Sequence, residues 1–172
     1  MPITSLPSPI IELQGPASIQ VVNEILSIYR PEHRYVSDAV LNDTAMRCKL
    51  KPTVYPYTEK QIFDYITAPT VTIFGCQMAY VLIGSMVIAK HTLVASVKTR
   101  EHFASLRDAA LLRFGRFNIR FLAEVENKYP IPAHIKIGTI RRIRGCIHCL
   151  MDFSIGDGIY GNIHGVLLGK SS

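Results

Sequence analysis

Apolar residues recur along this chain with two different periods, and one stretch has no period at all. Residues 17–30, ASIQVVNEILSIYR, place Ile19, Val22, Ile25, Leu26 and Tyr29 on one helical face, with Ser18 as the N-cap. Residues 34–55 alternate instead and break at Asn42-Asp43, which predicts a hairpin. Residues 99–114, TREHFASLRDAALLRF, return to helical spacing through Phe103, Leu106, Ala110 and Phe114. After Gly115 the runs RFNIRFLAEVE, HIKIGTIRRIR, CIHCLMDFSI and GIYGNIHGVLLGK read as strands, separated by turn residues at 129–132, Gly145 and 156–158. Residues 1–16 hold four of the ten prolines and predict an extended arm ahead of a single domain over 17–172.

The aperiodic stretch is 67–90, TAPTVTIFGCQMAYVLIGSMVIAK, uncharged until Lys90. Its length reaches the roughly 20 residues that a membrane helix needs. Thr67, Thr70, Thr72, Gln77 and Ser85 interrupt it, and Pro69 suits the first turn of a helix. The strands and amphipathic helices around it need a core to pack on, and this run is the one large apolar candidate. The pattern therefore predicts a buried central helix and no transmembrane segment, in an α+β fold with helices on one face of an antiparallel sheet.

Composition agrees with a globular domain: 172 residues, 48% apolar and 19% charged. The net charge of +6 adds an attraction for anions such as CoA phosphates, an acidic carrier protein or anionic lipid head groups. Lys90, Arg113, Arg116, Arg120, Arg141, Arg142 and Arg144 concentrate in the second half, without the aromatic partners of a nucleic-acid surface. MPITSLPSPIIELQGP has neither a basic start nor a long apolar run, so no signal peptide is expected. Cys48, Cys76, Cys146 and Cys149 then read as reduced thiols of a cytoplasmic protein. In a strand, CIHC (146–149) sends Cys146 and His148 to one face and Cys149 to the other; with no second ligand pair, no metal is expected.

Arg34, Tyr35, Asp38 and Ala39 in HRYVSDA, followed by Gln77, Met78, Ala79 and Tyr80 in TAPTVTIFGCQMAYVLIG, form an ordered pair of motifs. A helix leading through LLRFGRF into strands completes the series. From Ile19 to Leu168 the chain resembles the FcoT-type long-chain acyl-CoA thioesterases, a hotdog-fold family with relatives that act on acyl-carrier-protein thioesters. The resemblance implies an antiparallel sheet wrapped around a long apolar central helix. It also implies a homodimer or higher homo-oligomer, with sites between subunits. The chain departs from the family's HFNA-x-E and FNQ motifs, which here read YITAPT (65–70) and GCQ (75–77): Thr70 stands for a Glu and Cys76 for an Asn. Tyr29, Tyr57 and Tyr80 fall, by the same resemblance, at tyrosines near the family's pocket.

A thioester enzyme needs a donor to the thioester oxygen, a group that moves a proton or activates water, and an apolar tunnel. The first turn of the central helix offers the amides of Ala68, Thr70 and Val71, and the Thr67 and Thr70 hydroxyls cap that turn or bind substrate. The tyrosines donate to a carbonyl oxygen without carrying charge. Gln77, in so apolar a helix, must find partners; it either bonds the sheet or orients a water or thioester. Cys76 lies well inside the helix and reads as a small apolar group against substrate rather than a nucleophile. Arg113, Arg116 and Lys90 are the candidate phosphate site for the CoA or phosphopantetheine that the substrate itself carries; no other cofactor is expected. Hydrolysis of a fatty acyl thioester is the leading expectation. Dehydration or addition at the β-carbon is the alternative reaction, and a non-catalytic acyl-binding subunit the alternative role.

Overall fold

The computed structural model describes residues 14–52, 64–97, 99–109, 112–144 and 146–167. In chain order the elements are β1 (Gln14–Pro16), α1 (Ile19–Ile25), β2 (Val36–Asn42), β3 (Ala45–Leu50), α2 (Ala68–Ile88), α3 (Arg100–Asp108), β4 (Leu112–Phe121), β5 (Ile131–Ile143), β6 (Cys146–Ile155) and β7 (Ile159–Leu167). The seven strands form one antiparallel sheet in the order β1-β2-β3-β5-β6-β7-β4.

The sheet wraps around α2, the hotdog arrangement. Phe74, Met78, Leu82 and Met86 are fully buried, each worth roughly 1.5–3 kcal/mol relative to exposure. Among the described residues α2 is the one helix long and apolar enough to cross a membrane, and 78% of its apolar window is buried inside the protein. Its apolar surface packs on the sheet, α1 and α3. Gly84 permits the close approach to α1 and α3: a Cβ there would stand 2.9 Å from Ile25 and 3.0 Å from Phe103.

Local signals set the shorter helices. Ser18 caps α1 by accepting from the Val21 amide, and Thr99 caps α3 by accepting from His102. The expected helix over 99–114 stops early, at Asp108. Leu112 and Phe114 belong to β4, where a period of two turns both side chains onto the inner face; Ala110 lies outside the described residues. The expected arm is a strand at its end, since Gln14–Pro16 pair with Val40–Asn42 at the sheet edge; residues 1–13 lie outside the described set.

Two irregularities decide which side chains share a face. The register shifts between Phe114 and Arg116, so Arg113 and Arg116, three apart, both point outward opposite Val166 and His164. A shift at Gly138 likewise lets Ile137 and Ile140 both face the core, opposite Met151 and Cys149.

Candidate functional site

The first turn of α2 is tied together by hydroxyls. Thr67 is the N-cap, and its Oγ1 lies 3.2 Å from Oγ1 of the fully buried Thr70. Val71 is not an oxyanion donor, because its N–H donates to the Thr67 carbonyl at 3.0 Å and is closed into the helix ladder. Pro69 has no N–H, so Ala68 and Thr70 carry the first-turn amides that stand outside that ladder.

Gln77 bonds backbone through both ends of its amide. It is fully buried: Oε1 accepts from the Tyr35 backbone N–H at 2.8 Å, and Nε2 donates to the His33 carbonyl at 2.7 Å. The amide thus fastens the turn Pro31–His33 and the start of β2 to α2. It brings beside the helix a pair that the sequence did not single out chemically: His33 Nδ1 lies 3.0 Å from the Tyr35 hydroxyl, whose ring meets Phe74 edge-on at 5.5 Å. The only sequence hint was the adjacency of these residues in HRYVSDA.

Tyr29, Cys76 and Tyr80 do come together. The Tyr29 and Tyr80 rings meet edge-on at 6.4 Å, and Tyr80 meets Phe114 of β4 edge-on at 5.1 Å. Burial, followed by the neighbouring Cys76 thiol, raises the pKa of both phenols; Arg107 opposes the rise at Tyr80. Both hydroxyls are therefore protonated donors at neutral pH. Burial pushes the Cys76 thiol up to about 12, so it stays protonated as well. Arg107, on α3, is buried and donates Nη1 to the carbonyls of Glu24 and Ile25, closing the C-terminal end of α1 just ahead of Tyr29. Tyr57 lies outside the described residues.

An apolar slot lies between α2 and the sheet and shares Leu112 with Tyr80. The Tyr80 hydroxyl donates to the Leu112 carbonyl over a long 3.5 Å, and Leu112 lines the slot together with Ile83, Val94, Ile140, Cys149 and Leu167. No polar surface lines it. Its open space is about 10 Å³, roughly one water's worth, so a chain enters only as these side chains or the Thr92–Val94 turn give way.

The basic candidates stand elsewhere. Arg113 and Arg116 are exposed on the outer face of β4, the face away from Tyr80. Lys90 is exposed on the turn after α2, with φ +56. Cys146 and His148 face outward and Cys149 inward; His148 Nδ1 is 3.2 Å from His164 Nε2 with the rings stacked. No three His, Cys, Asp or Glu side chains converge among the described residues.

No family model matches the sequence, nor does any curated protein. Among solved structures, the chain is similar to the dehydratase domain of RzxB from Pseudomonas fluorescens, with 11% identity and a TM-score of 0.51, over 89% of this chain and 48% of that one. The fold is a hotdog. A second structure, protein RHA08564, a thioesterase superfamily protein, is 11% identical with a TM-score of 0.42, over 76% of this chain and 53% of that one. The chain thus spans about half the length of both. At such identity the likeness speaks for the fold alone.

Proposed function

We propose that the protein processes a fatty acyl thioester, and that hydrolysis is its reaction. The observation that carries this reading is the slot without polar lining between α2 and the sheet, whose wall includes Leu112, the partner of the Tyr80 hydroxyl. The acyl chain occupies the slot, which opens as the chain enters. The thioester carbonyl lies at Tyr80, whose long bond to the Leu112 carbonyl is weak enough to exchange for a bond to the substrate oxygen. Tyr29 and Cys76 complete a polar but uncharged collar, in which a phenol donates to developing negative charge without a proton transfer.

In the reaction, water oxygen attacks the thioester carbon, the carbon–sulfur bond breaks and the departing thiolate takes up the proton; fatty acid and free thiol result. CoA or carrier-linked phosphopantetheine belongs to the substrate, as does any contact with Arg113, Arg116 or Lys90. A homodimer fits this reading. Ile73 of α2 and Phe121 and Leu122 at the end of the edge strand β4 are exposed apolar side chains that a second copy would cover. The similarity to FcoT-type thioesterases at HRYVSDA and QMAY supports the same reading.

Intact-mass detection tests it, with saturated, 3-hydroxy and 2,3-unsaturated acyl chains offered on both CoA and carrier protein. Free thiol plus fatty acid is the expected result. Gain or loss of one water with the thioester intact would replace hydrolysis by dehydration or addition. Binding without any change of mass would make the chain an acyl-binding subunit.

A further inference from the structure

A cleft much larger than the acyl slot lies elsewhere in the described residues. It lies on the outer face of the sheet, over β3, β5 and β6, with a volume of about 410 Å³. That is the size of a small-molecule site. Nothing in the thioester reading uses it, because the strands beneath it face both ways. Ile140 and Cys149 point inward to the slot, while His134 and Ser154 point outward to the cleft.

Its floor is a row of hydrogen-bond donors. Arg47 of β3 is the cross-strand partner of His134 of β5, which is in turn the partner of Ser154 of β6. Directly opposed side chains in such a ladder start about 5 Å apart, close enough to converge on one group of atoms. Arg47 makes no ion pair among the described residues, so its guanidinium is available. Burial first, then the charges of Arg47 and Lys136, hold the His134 pKa below its ordinary value. The ring is therefore a neutral donor at pH 7.

The wall is different in character. Asp38 has φ +47 at the bulge where β2 shifts register against β3, a backbone position that an L-residue rarely occupies. Its carboxylate is held at the rim by Lys49 Nζ at 3.0 Å and the Tyr129 hydroxyl at 3.4 Å. Asp157 stands on the β6–β7 turn, which the Gly156 N–H pins to the Pro132 carbonyl at 2.7 Å. Strained residues held by their surroundings gather at ligand sites. A guanidinium, an imidazole and a hydroxyl in one row match a tetrahedral oxyanion. Two carboxylates on the wall match hydroxyl donors.

We propose that this outer cleft is a second binding site, for a phosphorylated small molecule bearing hydroxyl groups: the phosphate on Arg47, His134 and Ser154, the hydroxyls toward Asp38 and Asp157. The cleft is far larger than inorganic phosphate alone requires, which is why the ligand is assigned a hydroxyl-bearing body. The site does not depend on the acyl-thioester reading.

Calorimetric titration with ribose 5-phosphate, AMP, inorganic phosphate, unphosphorylated ribose and a glutamate-rich peptide tests it. At least one of the two organic phosphates is expected to bind tighter than inorganic phosphate, and ribose not at all. Arg47→Gln is expected to weaken binding by about tenfold or more, the loss of one charge-assisted contact. His134→Gln weakens it less, while Arg141→Gln, at the far end of the same face, leaves it unchanged. All three positions lie on the strand surface, and a circular dichroism spectrum confirms that each variant folds. Tyr80→Phe leaves the binding unchanged, which separates this site from the thioester collar. No binding on the order of 10 mM of either organic phosphate would overturn the proposal. So would equal losses in Arg47→Gln and Arg141→Gln, the sign of diffuse attraction to a basic surface. Preference for an acidic peptide over both phosphates would overturn it too.

Discussion

Gln77 grips the backbone of Tyr35 across the core, its Oε1 accepting the Tyr35 N–H at 2.8 Å while its Nε2 reaches the His33 carbonyl at 2.7 Å. One fully buried amide thereby satisfies a donor and an acceptor in the only stretch where the chain passes from the α1 region into the sheet. Removing it leaves both backbone groups without partners in an apolar interior. Gln77→Ala is expected to cost about 2–4 kcal/mol, and Gln77→Glu a similar amount because a carboxylate faces the His33 carbonyl. Urea unfolding measures it. A variant as stable as the parent, but catalytically dead, would return Gln77 to the chemistry.

Tyr80 is the reverse case. Tyr80→Phe keeps the edge-on contacts with Tyr29 and Phe114 and removes only a hydroxyl whose bond to Leu112 is 3.5 Å long. Stability should change by less than about 1 kcal/mol. Turnover of the preferred thioester should fall by about 10²-fold, the usual effect of deleting one donor to a developing oxyanion. Steady-state kinetics with KM and kcat resolved checks it: the loss belongs in kcat.

The apolar slot predicts a trade between stability and chain length. Ile83→Ala opens space at its wall and should destabilise the protein by about 2–5 kcal/mol. A longer acyl chain should refill that space. In thermal-shift assays long-chain fatty acids should raise the Tm of the variant more than that of the parent. Equal shifts would place the chain elsewhere.

Cys76 should be dispensable and slow to react. With its thiol pushed up to about 12, iodoacetamide labelling at Cys76 should be slow at pH 8 and speed up as pH rises. Cys76→Ala should keep most of the turnover. Abolished turnover with a covalent acyl adduct on Cys76, seen by peptide mass, would make it a nucleophile after all.

Alkaline pH should destabilise the fold. Burial pushes Cys48, Cys76 and Cys149 each to about 12 from an ordinary 9.0. Above that ordinary value the unfolded chain releases these protons while the folded chain keeps them. Stability therefore declines as pH rises from about 9 toward 12. Tyr29 and Tyr80 add to the decline above their ordinary 10.0, because burial raises both. The urea midpoint measured at intervals between pH 7.5 and 10.5 should fall, and less so in Cys48→Ala. A flat profile would mean that these groups are more solvated than the packing shows.

The sequence by itself determined the elements and the core. A charge-free run of this length between amphipathic segments has to be the interior, and Ser18 and Asn42-Asp43 mark a helix start and a hairpin by local chemistry. The resemblance at HRYVSDA and QMAY reached the hotdog arrangement. Spacing alone failed where two periods overlap: LLRF satisfies a helix as well as a strand, and only the pairing of β4 with β7 makes it strand. What tertiary structure decided was the use of each polar side chain. Whether a buried amide holds backbone or water depends on which groups the fold places opposite it, and His33 and Tyr35 are more than forty residues from Gln77 in the chain. The bulges at Asp38, Gly115 and Gly138 are likewise invisible in a period-two pattern, yet each turns a side chain to the other face. They place Asp38 at the rim of the outer cleft and put Arg113 and Arg116 on one surface. Local propensity acts over a few residues; the partners that give a polar group its role are supplied by strand register, which is a property of the whole sheet.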